Sequence, residues 1–252
     1  MTSRILLTAL ALIIAAPSAF AAGDSVKPPK QDWSFNGPFG TYDKAALQRG
    51  YKVYKEVCAA CHSMKRIYFR NLEALGYDEG QIKNIAAEYT VIDGPDAEGE
   101  MFERTARLSD PFPSPYPNKE AAKAANGSFP PDLSLITKAR KDGSNYVYGI
   151  LTGYDDPAKH GAELMEGQHW NKYMPGHVIA MAAPLSDGQI AFEDGSPETL
   201  DQYARDVAHF LTWAAEPEME DRKRIGLQVI LFLLVFTGIF YRVKKRIWKD
   251  VH

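Results

Sequence analysis

Residues 58–62 read Cys58-Ala59-Ala60-Cys61-His62, two thiols three apart followed at once by an imidazole, which is the spacing that attaches a c-type haem. Each thiol can add to one vinyl group of the porphyrin, and the adjacent histidine can reach the iron from the same short segment. The competing readings are a redox C-x-x-C and half of a zinc site. Zinc needs about four ligands, whereas the chain has two cysteines, both in this stretch, and six scattered histidines. A thioredoxin-type dithiol expects a βαβ context that the surrounding sequence does not offer. With both thiols committed to the cofactor no disulfide can form, so stability must come from packing and from the haem.

Upstream, Asp43 reads as the cap of a helix running to about Val57, with Ala46, Gly50, Val53 and Val57 along one face. Gly50 costs such a helix about 1 kcal/mol against alanine, which points to close approach of another helix. Thr199–Ala214, amphipathic through Leu200, Tyr203, Val207, Leu211 and Ala214, is its natural partner. His209 in that helix reads as packed or hydrogen-bonded, not as an iron ligand. Before the first helix, residues 23–42 are rich in proline and glycine and read as an extended arm whose Trp33, Phe35 and Phe39 adhere to a core.

Downstream, Arg66–Glu79 and Gln81–Tyr89 have helical character. Leu108–Asn118 carries Pro111, Pro113, Pro115 and Pro117 and is predicted to be extended. Ser128–Ser134 is a turn predicted to open a helix through Arg140, which Gly143 ends before another helix at Asn145–Thr152. Residues 153–176 are rich in loop formers.

Charge is unevenly spread. Over residues 22–221 twenty basic side chains face thirty-one acidic ones, a net −11 against −3 for the whole chain. Such a domain repels nucleic acid and attracts a basic partner. Six carboxylates, Glu88, Asp93, Asp96, Glu98, Glu100 and Glu103, fall in a stretch without a lysine or arginine, either a solvated loop or a docking surface for a cationic protein.

Ile225–Tyr241 is seventeen residues long with only Gln228 strongly polar, between Arg222-Lys223-Arg224 and Arg242-Val243-Lys244-Lys245-Arg246. As a helix it is about 25 Å long, and snorkelling Arg224 and Arg242 can extend it to the roughly 30 Å hydrocarbon core. Met1–Ala21 has a charged start at Arg4, an apolar run Ile5–Ala16 and a small-x-small site at Ala19-Phe20-Ala21, which is a secretory signal. The predicted organisation is a cleaved leader at 1–21, an exported haem domain at 22–221, and an anchor with a short cytoplasmic tail at 222–252, in accord with the positive-inside rule. A bacterial inner membrane with the haem domain in the periplasm suits so short a leader.

A low-spin electron carrier fills both axial positions of its iron, and methionine opposite histidine raises the potential. The sulfur candidates are Met64, Met101, Met165, Met174 and Met181, and the nitrogen alternatives are His160, His169 and His177. Met64 is too near His62 in the chain to reach the other haem face. Met174 precedes Pro175, as in the Met-Pro of some small c-type cytochromes, while Met181 lies in the more apolar run Val178–Leu185, which favours it.

Four stretches together carry a resemblance: RGYKVYKEVCAACHSM at 49–64, PPDLSLITKAR at 130–140, YVYGILTGY at 146–154 and YMPGHVIAMAAPL at 173–185. In this order, with a single carboxy-terminal span, they resemble the cytochrome c1 family, the membrane-anchored c-type cytochromes of ubiquinol-cytochrome c reductase (bc1) complexes. The resemblance implies a mainly α fold, a class I c-type cytochrome-like haem domain with long loop insertions plus one C-terminal transmembrane helix. It implies one covalent haem c on Cys58 and Cys61, His62 as proximal ligand and Met181 as the second. It further implies that Arg140 pairs with a haem propionate and that Pro131 and Tyr146 lie along the pocket. Some bacterial relatives bridge the loop before the axial methionine with an extra cysteine pair, which this chain lacks. By resemblance the partners are a Rieske iron-sulfur protein as electron donor, cytochrome b within the complex, and a basic cytochrome c as acceptor, with no catalytic chemistry in the chain itself. The rival functions are an independent membrane-tethered shuttle and a haem enzyme with an open sixth position.

Overall fold

Asp43 starts the first helix. Its Oδ1 accepts from the amides of Ala45 at 2.9 Å and Ala46 at 3.2 Å, two of the donors that a helix start leaves unpaired. The helix α1 runs Lys44–Glu56 in the computed structural model, which describes residues 26–250. The leader predicted at 1–21 lies outside the described residues. After α1 come a 3-10 turn at Cys58–Ala60, a 3-10 helix at Phe69–Leu75, α2 (Glu79–Ala87), the strands β1 (Thr90–Asp93) and β2 (Phe102–Thr105), α3 (Lys119–Asn126), α4 (Gly143–Thr152), a 3-10 turn at Pro157–His160, the short strands β3 (His169–Trp170) and β4 (Val178–Ile179), α5 (Leu200–Ala215) and α6 (Met219–Ile247), which ends in a 3-10 turn at Trp248–Asp250. The two strand pairs are separate antiparallel hairpins.

The core forms where α1 and α4 pack on α5. Tyr51, Val53 and Tyr54 of α1 and Tyr203, Val207, Phe210, Leu211 and Trp213 of α5 are buried, each contributing about 1.5–3 kcal/mol by leaving water. Gly50 sits at the crossing: a Cβ there would lie 2.0 Å from the Asp206 carbonyl oxygen and 2.7 Å from Phe210 Cβ, so only glycine lets the two helices meet. Next to it Arg49 grips Asp206 through Nε at 2.7 Å and Nη2 at 3.1 Å and reaches Asp194 through Nη1 at 2.7 Å. Those bonds offset part of the cost of burying the Asp206 carboxylate, whose pKa burial still holds above its usual value.

The arm packs as its aromatics suggest, with one exception. Trp33 and Phe35 are buried, while Phe39 is 78% exposed because residues 36–40 turn outward at Gly37, which has a φ of +74°. Asn145 fastens the arm, its Oδ1 accepting from Trp33 Nε1 at 2.8 Å and the Gln31 amide at 3.0 Å. Phe35, Tyr42 and Trp33 ring His209, whose Nε2 accepts the Asp43 amide at 3.3 Å, so this histidine is a packed one.

Three stretches differ from the sequence reading. Residues 134–140 make consecutive turns and no α-helix, and Gly143, expected to stop a helix, is the first residue of α4. Between Arg66 and Glu79 only the 3-10 helix at Phe69–Leu75 forms. The acidic stretch is a hairpin: Arg104 of β2 binds Asp93 of β1 and also Asp110, at 2.6 and 2.9 Å, and Asp96 Oδ1 closes the tip on the amides of Glu98 at 3.0 Å and Glu100 at 2.9 Å.

At 29 residues, or about 43 Å, α6 outruns the predicted span by six residues at each end, because both basic collars are themselves helical. It is long and apolar enough to cross a membrane, with a mean hydropathy of 1.9 over its most apolar 18 residues, none of them buried in the protein. Lys223 Nζ ties its base to the arm through the carbonyls of Phe35 at 2.7 Å and Gly40 at 2.8 Å.

Two predictions follow from the crossing and the buried imidazole. Gly50→Ala should destabilise the full chain by about 3 kcal/mol despite its better helix propensity, and an unchanged melting temperature would contradict the close approach. Burial, opposed by Asp43 and aided by Arg49, lowers the His209 pKa from 6.5 to about 4. The unfolded chain therefore binds a proton that the folded chain refuses in this window, so stability is full above pH 6.5 and falls toward pH 4, by on the order of 3 kcal/mol. Urea titrations of His209→Gln should show a flatter acid limb than the parent chain.

Candidate functional site

Val57 ends α1 with its amide on the Val53 carbonyl at 3.0 Å, and the chain then turns so tightly that the Cys58 carbonyl accepts from both Cys61 at 3.2 Å and His62 at 2.9 Å. The two thiols and the imidazole thereby line one cavity of about 610 Å³, together with Leu133, Ile136, Val147, Ile150, Leu151, Val207 and Leu211. That size and apolar lining suit a cofactor site. Burial, followed by the neighbouring Cys61, pushes the Cys58 thiol up to about 12. Among the described residues no group of three or more His, Cys, Asp or Glu gathers to hold a metal ion, so the thiol pair lacks the further ligands of a zinc site.

His62 is oriented by one bond. Its Nδ1 lies 2.8 Å from the Pro131 carbonyl oxygen, so Nδ1 donates there and Nε2 keeps its lone pair for a metal. Burial lowers the pKa of the ring, against the opposing effects of the Pro131 bond and Asp132, and a neutral imidazole is the ligating form.

Asp132 puts the Pro131 carbonyl in place. Its Oδ2 accepts from Ser63 Oγ at 2.8 Å and the Lys65 amide at 3.0 Å, and its Oδ1 from the Ser134 amide at 2.9 Å. Two more bonds complete the clamp, Leu133 N to the Ser63 carbonyl at 2.8 Å and Arg66 N to Ser134 Oγ at 3.1 Å. Burial raises the Asp132 pKa, but the bonds from Ser134, Lys65 and Ser63 together outweigh it and hold the carboxyl below its usual range. Sequence reasoning missed Asp132, Ser63 and Ser134. Their signal was present: Asp-x-Ser directly after the proline pair is a strong former of local side-chain to backbone bonds.

Cys58, Cys61, His62, Pro131, Arg140, Tyr146 and Met181 all line this cavity, and so does Met174. The other proposed iron ligands are elsewhere. Met64 is fully buried in the core, and Met101 and Met165 are 59% and 71% exposed. His160 and His177 both stack on Trp170, at 3.6 and 5.4 Å between ring centroids, and His169 belongs to β3.

A sequence profile of the Cytochrome C1 family matches residues 33–251. The chain belongs to the cytochrome c1 family. It is 47% identical over 262 residues to cytochrome c1 of Rhodospirillum rubrum, covering 97% of this chain and 96% of that one. It is 50% identical over 250 residues, 90% of its length, to cytochrome b/c1 of Bradyrhizobium diazoefficiens, of which it spans 36%. A third relative, the cytochrome b-c1 complex catalytic subunit of Candida albicans, is 45% identical over 232 residues, covering 92% of this chain and 81% of the relative. Family membership implies haem c, and the mainly helical architecture fits a c-type cytochrome. The residues fit the group: a cysteine pair, an imidazole held with Nε2 free, two thioethers and an apolar wall share one cavity.

Asp132→Ala removes three hydrogen bonds from a half-buried clamp and should lower the unfolding free energy by about 2–3 kcal/mol. Urea unfolding of the full chain checks this, and wild-type stability in the variant would show that the two segments are held by something else.

Proposed function

We propose that this chain is the electron-carrying subunit of a cytochrome bc1 complex, taking one electron from a Rieske iron-sulfur protein and delivering it to a basic cytochrome c, without catalytic chemistry of its own. The observation that carries the reading is the single cavity in which a cytochrome c1 family chain gathers Cys58, Cys61, His62, Arg140 and Met181. Haem c, covalently attached there, supplies a one-electron iron couple. The relatives' names, which join b with c1 and place one in a b-c1 complex, support cytochrome b as a membrane partner.

In this reading each residue has a physical task. Cys58 and Cys61 anchor the porphyrin. Pro131 and Asp132 hold His62 through Nδ1, which would leave Nε2 to ligate the iron. Arg140 is exposed, forms no ion pair among the described residues and donates to the Ala139 carbonyl at 3.1 Å, which leaves guanidinium donors for a propionate. The aliphatic wall excludes water, which favours the less charged reduced state. Two tyrosines distinguish the cavity's methionines. The Tyr146 hydroxyl donates to the Met174 sulfur at 3.7 Å, while the Tyr154 hydroxyl donates to the Met181 carbonyl at 3.0 Å. The Met181 thioether is thus the uncommitted one, which supports it as the second axial ligand.

The leader at 1–21, the periplasmic haem domain at 22–221 and the cytoplasmic tail after α6 complete the proposal. The acidic hairpin belongs to the acceptor surface. Glu88 pairs with Lys55 at 2.6 Å and Asp93 with Arg104, so the docking charge sits at Asp96, Glu98, Glu100 and Glu103.

Met181→Leu should abolish the sulfur-to-iron band of the ferric protein and Met174→Leu should leave it, whereas an unchanged spectrum in Met181→Leu would refute the ligand assignment. Association with a cationic cytochrome c should slow steeply between about 10 and 150 mM salt, as the Debye length falls from about 30 to 8 Å. A flat rate profile would mean that the acidic surface serves solubility alone.

A further inference from the structure

Met181 lies on an irregular strap. Among the described residues its backbone has one hydrogen-bond partner, the Tyr154 hydroxyl on its carbonyl at 3.0 Å, and the next backbone-to-backbone bond along the chain is made only by Gly188, to Glu198 at 2.8 Å. A thioether on such a strap would sample many positions unless the chain before it were held.

The hold lies at Asn171, a polar residue with no exposed surface. Its Nδ2 donates to the Ile150 carbonyl in the last turn of α4 at 2.7 Å, and its Oδ1 accepts the Tyr173 amide at 3.0 Å. Its own amide reaches the His177 carbonyl at 2.9 Å, and the neighbouring Lys172 amide reaches the Gly153 carbonyl at 2.8 Å. Tyr154 and Asn171 also form an isolated antiparallel bridge. Gly153 makes the approach possible, since a Cβ there would lie 2.6 Å from the Tyr173 ring and 3.0 Å from Asn171 Oδ1. The β3–β4 hairpin is therefore bolted to the end of α4, and the residue after that bolt, Tyr154, reaches across to the strap. A buried polar side chain with both ends satisfied fixes one arrangement, because any other leaves it unpaired.

We infer that Tyr154 and Asn171 are positioning residues for Met181: Asn171 locks the hairpin to α4, and the Tyr154 hydroxyl holds the Met181 carbonyl so that the thioether stays at the iron. This rests on Met181 being the axial ligand. Loss of the phenol should let the thioether leave more often and open the sixth position to an external ligand, by about fivefold for one hydrogen bond.

The test uses the full-length, haem-loaded chain in detergent, with carbon monoxide as the probe of the ferrous iron and urea unfolding run in parallel. Tyr154→Phe, which removes one oxygen, should raise carbon monoxide affinity about fivefold while the ferric sulfur band weakens, and Asn171→Ser should act in the same direction. Met181→Leu is the reference. If it raises carbon monoxide affinity and neither Tyr154→Phe nor Asn171→Ser does, the positioning role falls and the ligand assignment stands. If Met181→Leu leaves affinity and band untouched, the ligand assignment falls and the positioning role falls with it. A drop in urea midpoint without any change in carbon monoxide affinity would mean the two residues only stabilise the fold.

Discussion

The approach of α1 to α5 at Gly50 governs everything around the cavity. A Cβ at that position would lie within 2.0 Å of the Asp206 carbonyl oxygen, so the contact is backbone against backbone. Because α1 runs directly into Val57 and the Cys58–Ala60 turn, the placement of that helix is also the placement of both thiols and His62. From α5, Val207 and Leu211 reach the same cavity. The Arg49–Asp206 pair beside the crossing fixes the rotation of one helix on the other, so a single close contact sets the depth and the direction in which the Cys58–His62 segment enters the protein.

The cavity is then closed by loops, and loops need their own constraints. The Asp132 clamp serves the His62 side and the Asn171 bolt with Tyr154 serves the Met181 side. Both use a side-chain oxygen or amide to satisfy backbone groups that no helix or sheet would otherwise pair. In a chain with only two cysteines, both in the Cys58–His62 segment and unbridged, these polar hubs are how the long insertions are held without a disulfide.

Local chemistry was legible in the sequence and tertiary competition was not. The Asp43 cap and the periodic faces of α1 and α5 depend on neighbours in the chain, and they came out where they were expected. The helix expected through Arg140 failed because Asp132 and Ser134, its would-be start, are spent on the backbone of residues 63–66 and on their own turn. The acidic hairpin was hidden because its strands are only four residues long, and the pairing is secured by Arg104, a residue just beyond the acidic run. Of the site, Cys58, Cys61 and His62 stood out as candidates from spacing alone. Met181 as a candidate needed chemistry and resemblance together, and the Asp132 and Asn171 bonds beside the cavity are visible only once distant segments meet.

If Cys58 and Cys61 carry a covalent haem in the cavity they share with His62, peptide mass mapping of the denatured, alkylated chain shows it most directly. The peptide containing residues 58–62 should keep the mass of one haem with neither thiol alkylated. Recovery of that peptide with both thiols alkylated, and the haem free in solution, would contradict it.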